Sequence, residues 1–570
     1  MTADPIAMAR DWVAGDPDPA TRAELQALID AEDRDELAER MAGGLRFGTA
    51  GMRGPVGAGS NRMNRAVVIR ATRGLADVLL SRHGGPLPTP VVVGFDARPS
   101  SRTFAGDTIG VLVAAGIRVR YFPEPVPTPM VAFAAKALEA PAAVMVTASH
   151  NPAGDNGYKV YDANAVQIVP PVDAEIAAAI ERVGRAADVP RQEGALEGTS
   201  PLASPVPADL ADAYWQEVAA VRPRVVADRG LRIVYTPLHG VGWKVLDAVM
   251  RRGGFDGVLV VPEQRHPDGR FPTVPFPNPE EPGALDLALE LARRTSADLV
   301  LANDPDADRL AAAIPVEGGW RPLTGDQVGA LLADHLLRHW SAPERPIVIN
   351  TIVSSPMLRS LCEGYGARFE QTLTGFKWIC NAALDLEAAG EGRFCFGYEE
   401  ALGYTVGGAV RDKDGISAAL VFADLVASLR DRGRSVPDRL GELYRRHGLW
   451  VSLLRSVTRT GAAGRAEIDA GVRTLAADPP DALAGMAVIG VTDFRRGAEG
   501  RPRWLPASPL IVVDLDGGGR VSVRPSGTEP RLKVYVHLPG VAGDRLDAAE
   551  RPLRTAAERV AAEVVARLGS

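Results

Sequence analysis

The chain has 570 residues, 46% of them hydrophobic and 24% charged, with a formal net charge of −7; this is the balance of an ordinary water-exposed protein with room for about four domains. The negative balance argues against a nucleic-acid partner or an anionic membrane surface, so any anionic ligand needs local cations. Three cysteines, Cys362, Cys380 and Cys395, are too few and too irregularly spaced for a disulfide framework or a zinc ribbon.

The chain opens Met1-Thr2-Ala3-Asp4-Pro5, without the basic and apolar regions of a secretory leader, and no apolar run approaches the ~18 residues of a membrane span. The expectation is a cytoplasmic protein. Residues 5 to 42 place Leu25, Leu28 and Leu37 at helical spacing among acids, Arg and Ala, which predicts one or two surface helices. Next comes Arg46-Phe47-Gly48-Thr49-Ala50-Gly51-Met52-Arg53-Gly54, a glycine-rich loop that can approach a ligand closely, with arginines beside it. Helices at 65–82, 101–115 and 128–138 then alternate with strands at 91–95, 118–122 and 142–146. That alternation predicts βαβ units and a largely parallel sheet covered on both faces. The loops Asp96-Ala97-Arg98-Pro99-Ser100-Ser101 and Thr147 to Asp155 both leave strand C-termini, where open α/β sheets bind ligands. After a Pro, Ala and Gly-rich boundary at 185–207, the pattern restarts with helices at 208–221, 241–252 and 282–295 and strands at 231–235, 257–261 and 299–302. It resumes a third time at Thr324-Gly325-Asp326-Gln327, a capping-box signature opening a helix to about His339, followed by a strand at 346–350. Past residue 446, short strands at 488–491, 510–513, 521–523 and 533–536, with helices at 463–476 and 547–568, predict a smaller α+β domain. The expected domains are 1–205, 206–318, 319–445 and 446–570.

Four stretches carry chemistry. In Thr147-Ala148-Ser149-His150-Asn151-Pro152-Ala153-Gly154-Asp155 a hydroxyl follows a buried strand, with an imidazole beside it and Lys159 ten residues on. A turn serine or helix cap is the ordinary reading of Ser before Asn-Pro. Asp304, Asp306 and Asp308 stand at alternate positions on a loop leaving another buried strand, where their mutual repulsion is costly unless a cation neutralises it. Hard oxygen donors favour Mg²⁺ or Ca²⁺. A calcium EF-hand fails, because Arg309 and Pro315 occupy its glycine and glutamate positions; a solvated acidic turn is the other alternative. Phosphorylated Ser149 would add about −1.5 to −2 charge and an oxygen able to complete the shell of those aspartates. Arg524-Pro525-Ser526-Gly527-Thr528-Glu529-Pro530-Arg531 supplies a guanidinium, hydroxyls and N–H groups suited to a phosphate monoester. Glu399 and Glu400, with Lys377 and Trp378, offer acceptors and a donor for sugar hydroxyls, although Glu pairs are commonly solvated surface.

Thr147 to Pro152, Asp304 to Arg309, Gly397-Tyr398-Glu399-Glu400 and Arg524 to Thr528 resemble, in order, the four signature loops of the α-D-phosphohexomutase superfamily. Gly48 to Gly54, Gly375-Phe376-Lys377-Trp378-Ile379 and Asp412-Lys413-Asp414-Gly415 are similar to its phosphoglucomutase-2 and phosphopentomutase branch. The resemblance implies an α/β protein of three similar mixed-sheet domains plus a C-terminal α+β domain around a central cleft. It implies Ser149 as the phosphorylated serine; Mg²⁺ on Asp304, Asp306, Asp308 and the phosphoserine oxygen; and proton transfer and charge stabilisation by His150, Lys159, Arg53 and Arg309. Sugar contacts would come from Gly375, Lys377, Trp378, Glu399 and Glu400, and phosphate contacts from Arg524, Ser526, Gly527, Thr528 and Arg531. The implied reaction interconverts glucose 1-phosphate and glucose 6-phosphate through glucose 1,6-bisphosphate, by a monomer or weak homodimer acting on small phosphosugars. One departure bears on the sugar: many relatives have Glu-x-Ser-Gly where this chain has Glu399-Glu400-Ala401-Leu402-Gly403, so mannose and pentose phosphates compete with glucose. Two other classes remain, a Mg²⁺-dependent phosphatase with Asp304 or Asp306 as nucleophile and a non-catalytic sugar-phosphate binder.

Overall fold

The elements begin where local chemistry starts them. Asp4, Asp18 and Asp33 each accept a backbone N–H in the first turn of the helices Pro5–Gly15, Pro19–Asp30 and Arg34–Arg40, the role short polar side chains take at an N-cap. These are three helices rather than one or two. They close a small core of their own, in which Leu25 and Leu37 are fully buried with Ile6, Ile29 and Ala58. In the same way Asn64 caps Arg65–His83, and Gly84, at φ 66°, ends it. The computed structural model describes residues 4–45, 47, 51–223, 230–459, 461–525, 531–543 and 546–568.

The chain forms two compact units, one of residues 1–221, 230–322 and 408–420, the other of 222–229, 323–407 and 421–570. The first unit holds two sheets. One runs in the order Met52–Pro55, Asp155–Asp162, Ala142–Val146, Val91–Phe95, Val119–Tyr121, Ala203–Pro205. Its last four strands are parallel, as the βαβ pattern predicts, but the first two are antiparallel. The turn residues around Ser149 reverse the chain into a full strand, Asp155–Asp162, which lies antiparallel beside Ala142–Val146. The second sheet runs Gly319–Pro322, Ala311–Val316, Leu299–Ala302, Ile233–Thr236, Val258–Val260, again with two antiparallel strands on a parallel core.

In the second unit, Arg368–Thr372, Pro346–Thr351 and Arg393–Glu399 are parallel and Gly403–Val406 returns antiparallel to the last. The predicted capping box is present: Gln327 N donates to Thr324 Oγ1 at 3.2 Å and Thr324 N to Gln327 Oε1 at 3.1 Å. A fully antiparallel sheet follows in the order Leu449–Thr458, Arg531–Gly540, Arg520–Pro525, Ile511–Leu515, Met486–Asp493, Ala482–Leu483. The helices Gly461–Ala477 and Leu546–Leu568 pack against it. The molecule is thus α/β, with three mixed sheets and a C-terminal antiparallel sheet with helices. Among the described residues no helix is long and apolar enough to cross a membrane.

Candidate active site

In the first unit, the strand Ala142–Val146 delivers Ser149 and the strand Leu299–Ala302 delivers the aspartates. Ser149 adopts φ 52°, unusual for a residue with a Cβ. Its N–H donates to Thr147 Oγ1 at 2.8 Å, and the Thr147 hydroxyl donates to Asp96 Oδ2 at 2.7 Å. With the loop set in this way, Ser149 Oγ donates to Asp304 Oδ2 at 2.6 Å and lies 3.1 Å from His150 Nδ1.

The three carboxylates are buried, and each offers one oxygen within 4.8 Å of the others'. Asp304 is held at both oxygens, Oδ2 by the Ser149 hydroxyl and Oδ1 by the Arg309 N–H at 3.0 Å, and the other two at one oxygen each. Asp306 Oδ2 accepts from Thr128 Oγ1 at 2.7 Å and Lys159 Nζ at 2.8 Å, while Asp308 Oδ2 faces Lys159 Nζ at 3.0 Å and Lys413 Nζ at 3.3 Å. Asp306 Oδ1 and Asp308 Oδ1 are buried and accept no hydrogen bond among the described residues. Native proteins rarely leave such atoms unanswered, and hard, clustered carboxylate oxygens are what a Mg²⁺-type cation takes. The residues therefore fit a divalent metal.

The electrostatics agree. Burial, then Asp306 and Asp308, push the Asp304 carboxyl well above the usual carboxylate range. Burial and Asp308 push Asp306 upward as well, but the Lys159 ammonium outweighs them and lowers it. Asp308 is held far below its ordinary value despite burial, by Lys159, Lys413 and Arg309. Burial disfavours the Lys159 ammonium, yet Asp306 and Asp308 raise it above a free lysine. Asp304 and Asp308 are thus pushed in opposite directions, and a cation bound between them would favour the charged form of Asp304.

Lys159 is fully buried on the return strand, opposite Met145, rather than on a loop. Arg53 lies on the neighbouring strand opposite Gly157, and its buried Nε makes no hydrogen bond among the described residues. Arg309 NH1 reaches Glu280 at 3.4 Å and its Nε stands 4.0 Å from Asp308. Lys413, in the stretch Asp412-Lys413-Asp414-Gly415, joins the site without a role implied by its motif. Its place is fixed because Asp412 accepts from Tyr161 and Gln167, both at 2.7 Å, and Asp414 from Tyr214 at 2.8 Å. Gly415 is required there, since a Cβ would meet Arg309 O at 2.2 Å. An ammonium that follows an acid in sequence gives no hint that it pairs with an aspartate about a hundred residues away. Arg98, in the loop Asp96 to Ser101, also has a defined place: its guanidinium is buried beside the Ser149 loop.

The sugar and phosphate candidates belong to the second unit. Gly375, at φ 122°, donates its N–H to Glu399 Oε1 at 2.6 Å and opens the helix Phe376–Ala388. Lys377 Nζ sits 5.7 Å over the Trp378 ring, and Trp378 and Glu399 are buried. Glu400 accepts from Thr351 Oγ1 at 3.2 Å and Ser354 Oγ at 3.1 Å; burial, then Glu399 and Asp326, raise its carboxyl to about 7. Arg524 lies in the last two residues of the strand Arg520–Pro525, and Arg531 opens the strand Arg531–Gly540 paired with it. Ser526, Gly527 and Thr528, and Arg46 and Gly48 to Ala50, lie outside the described residues.

Four family models, phosphoglucomutase/phosphomannomutase domains I, II, III and the C-terminal domain, match residues 44–186, 212–317, 324–447 and 480–551. The chain belongs to the α-D-phosphohexomutase superfamily. This phosphohexomutase is 39% identical over 485 residues to a protein of Haemophilus influenzae named "Probable phosphomannomutase", covering 84% of this chain and 93% of the relative. It is 38% identical over 547 residues to "Probable phosphoribomutase" of Schizosaccharomyces pombe, covering 92% of each. Such relatives put it in the phosphoglucomutase-2-like branch. The open form of parafusin, a phosphoglucomutase from Paramecium, shares its fold with a TM-score of 0.69 at 16% identity, over 92% of this chain and 96% of that one. The phosphohexomutase is therefore a phosphosugar mutase, an isomerase that moves a phosphoryl group.

Proposed function

We propose that the enzyme interconverts α-D-glucose 1-phosphate and glucose 6-phosphate through a phosphoserine at Ser149 and a bound glucose 1,6-bisphosphate. The observation that carries this reading is the 2.6 Å approach of Ser149 Oγ to Asp304, beside two carboxylate oxygens with no hydrogen bond. Asp304, Asp306, Asp308 and a phosphoserine oxygen would hold Mg²⁺, which when bound supplies positive charge for the transferring phosphoryl group.

In the forward direction the 6-hydroxyl oxygen of glucose 1-phosphate attacks the phosphorus. The bond to Ser149 Oγ breaks and the hydroxyl proton passes to a base. His150, 3.1 Å from that oxygen, is the candidate to hold the proton. The bisphosphate turns over and Ser149 Oγ takes the 1-phosphate, returning the proton to the sugar. Lys159, Arg53 and Arg309 stabilise charge, and much of the rate comes from positioning. Gly375, Lys377, Trp378, Glu399 and Glu400 are assigned to sugar hydroxyls, and the stretch from Arg524 to Arg531 to the phosphate that is not reacting.

Pentose phosphate is a second reading, supported by the phosphoribomutase name of one relative and by Ala401, which has no hydroxyl for a hexose. Turnover on glucose, mannose, ribose and deoxyribose 1-phosphates with Mg²⁺ and catalytic glucose 1,6-bisphosphate tests both. Glucose should lead, and Ser149→Ala should abolish turnover on every sugar. A larger kcat/KM for ribose 1-phosphate would replace the first reading by the second. Phosphate release surviving in Ser149→Ala would return the choice to a phosphatase.

A further inference from the structure

The Ser149 loop turns so tightly that the carbonyls of Ser149, Asn151, Pro152 and Asp155 converge. Arg98 answers all four: its NH2 donates to Ser149 O at 2.7 Å and Asn151 O at 2.6 Å, and its NH1 to Pro152 O at 2.6 Å and Asp155 O at 2.8 Å. Convergent carbonyl dipoles repel one another, and a buried planar fork of donors is the side chain that can satisfy four at once. The fork is itself fixed. Asp96 Oδ1 accepts Arg98 N–H at 3.0 Å, Asp96 Oδ2 lies 3.3 Å from Arg98 Nε, and the Phe271 ring centroid lies 5.1 Å from the guanidinium carbon. Behind it Gly269 packs so closely that a Cβ would meet Arg98 Cα at 2.4 Å. The same Asp96 holds Thr147, whose Oγ1 holds Ser149 N.

We propose that Arg98 is a positioning residue for phosphoryl transfer: by clamping four carbonyls of the 149–155 loop it keeps Ser149 in its left-handed conformation, with Oγ aimed at the aspartate cup. It acts through the loop and touches neither sugar nor phosphate. Backbone strain at a reacting residue persists only when its surroundings over-determine it, and Arg98 supplies that constraint. A lysine has one ammonium and no planar fork, so Arg98→Lys keeps the charge and loses the clamp. The proposal rests on Ser149 being the phosphoryl carrier.

The test compares Arg98→Lys with Arg65→Lys, which breaks a part-buried fork, Arg65 to Asp107 at 2.8 Å and 2.8 Å, remote from the serine in sequence. Each enzyme is phosphorylated with glucose 1,6-bisphosphate, assayed for kcat and KM, and followed without substrate by intact mass for loss of phosphate to water. Arg98→Lys should lose about a hundredfold in kcat with KM changed less than about threefold, because a misplaced reacting atom costs rate rather than binding. Its phosphoserine lifetime should change by about tenfold or more, and a similar loss of Tm in Arg65→Lys should leave both readouts alone. Should Arg98→Lys fail to fold, Phe271→Leu, which removes only the ring against the guanidinium, should shift both readouts in the same direction. Parent-like kcat in Arg98→Lys, or losses in both variants that merely follow Tm, would overturn the proposal while leaving the phosphoserine reading standing. Absence of turnover and phosphoserine in the parent would remove both.

Discussion

Each carboxylate of the aspartate cup commits one oxygen to a serine or a lysine, and two of them hold the other oxygen buried and without a hydrogen bond. That division makes Asp308 a sharper probe than Asp304. Asp308→Asn keeps the shape but replaces an anion that faces two ammonium groups, so Mg²⁺ affinity measured by calorimetry should fall by about a hundredfold or more. The rise in Tm that Mg²⁺ gives the parent should vanish with it. Glu400 gives a prediction of opposite character. Its carboxyl sits at about 7 against an ordinary 4.5, from burial first and then Glu399 and Asp326. The folded chain therefore keeps a proton that the unfolded chain has released between those values. Stability is complete below about pH 4.5 and falls as pH rises through about 7. Glu400→Gln should match the parent in Tm near pH 5 and exceed it at pH 8, by roughly 1–2 kcal/mol after solvent screening, while losing activity on the sugar. Equal Tm differences at both pH values would count against the shift.

At the scale of single elements, the return strand Asp155–Asp162 joins the site together, since it carries Lys159 and pairs with the strand of Arg53. Gly157 makes that pairing possible: a Cβ there would meet Thr147 O at 2.5 Å and Met52 O at 2.8 Å, both backbone atoms. Gly157→Ala should force the strands apart, cost about 1–3 kcal/mol in urea unfolding and lower kcat, because Ser149, Lys159 and Arg53 all hang on this corner. Unchanged kcat with a lowered urea midpoint would uncouple the corner from catalysis. The sequence announced the parallel core of this sheet and its Ser149 loop clearly, because valine-rich runs alternate with helical spacing. It hid the return strand, because Asn156-Gly157 has the signature of a turn and a lysine within a strand looks solvent-facing. Pairing between a strand and a distant loop, as in Lys159 with Asp306, leaves no local pattern. The aspartate triplet was legible for the opposite reason: three like charges two residues apart have few uses without a counter-ion.

For the whole molecule, the division into two units does not follow chain order. Residues 408–420 belong with 1–221 and 230–322, and they supply the acceptors for Tyr161, Gln167 and Tyr214 together with the Lys413 ammonium. A fragment of residues 1–322 lacks them, and each buried group left without its partner costs about 1–3 kcal/mol. Its melting transition, followed by circular dichroism, should be lower and broader than that of the full chain, and a transition as sharp and as high would refute the dependence. The same arrangement has a consequence in time. About a hundred residues separate Asp308 from Lys413, so a ribosome adding roughly 5–20 residues per second makes the aspartates some 5–20 s before their second lysine. For that interval the growing chain carries a more anionic cup than the finished enzyme, and metal capture during synthesis would precede completion of the catalytic unit.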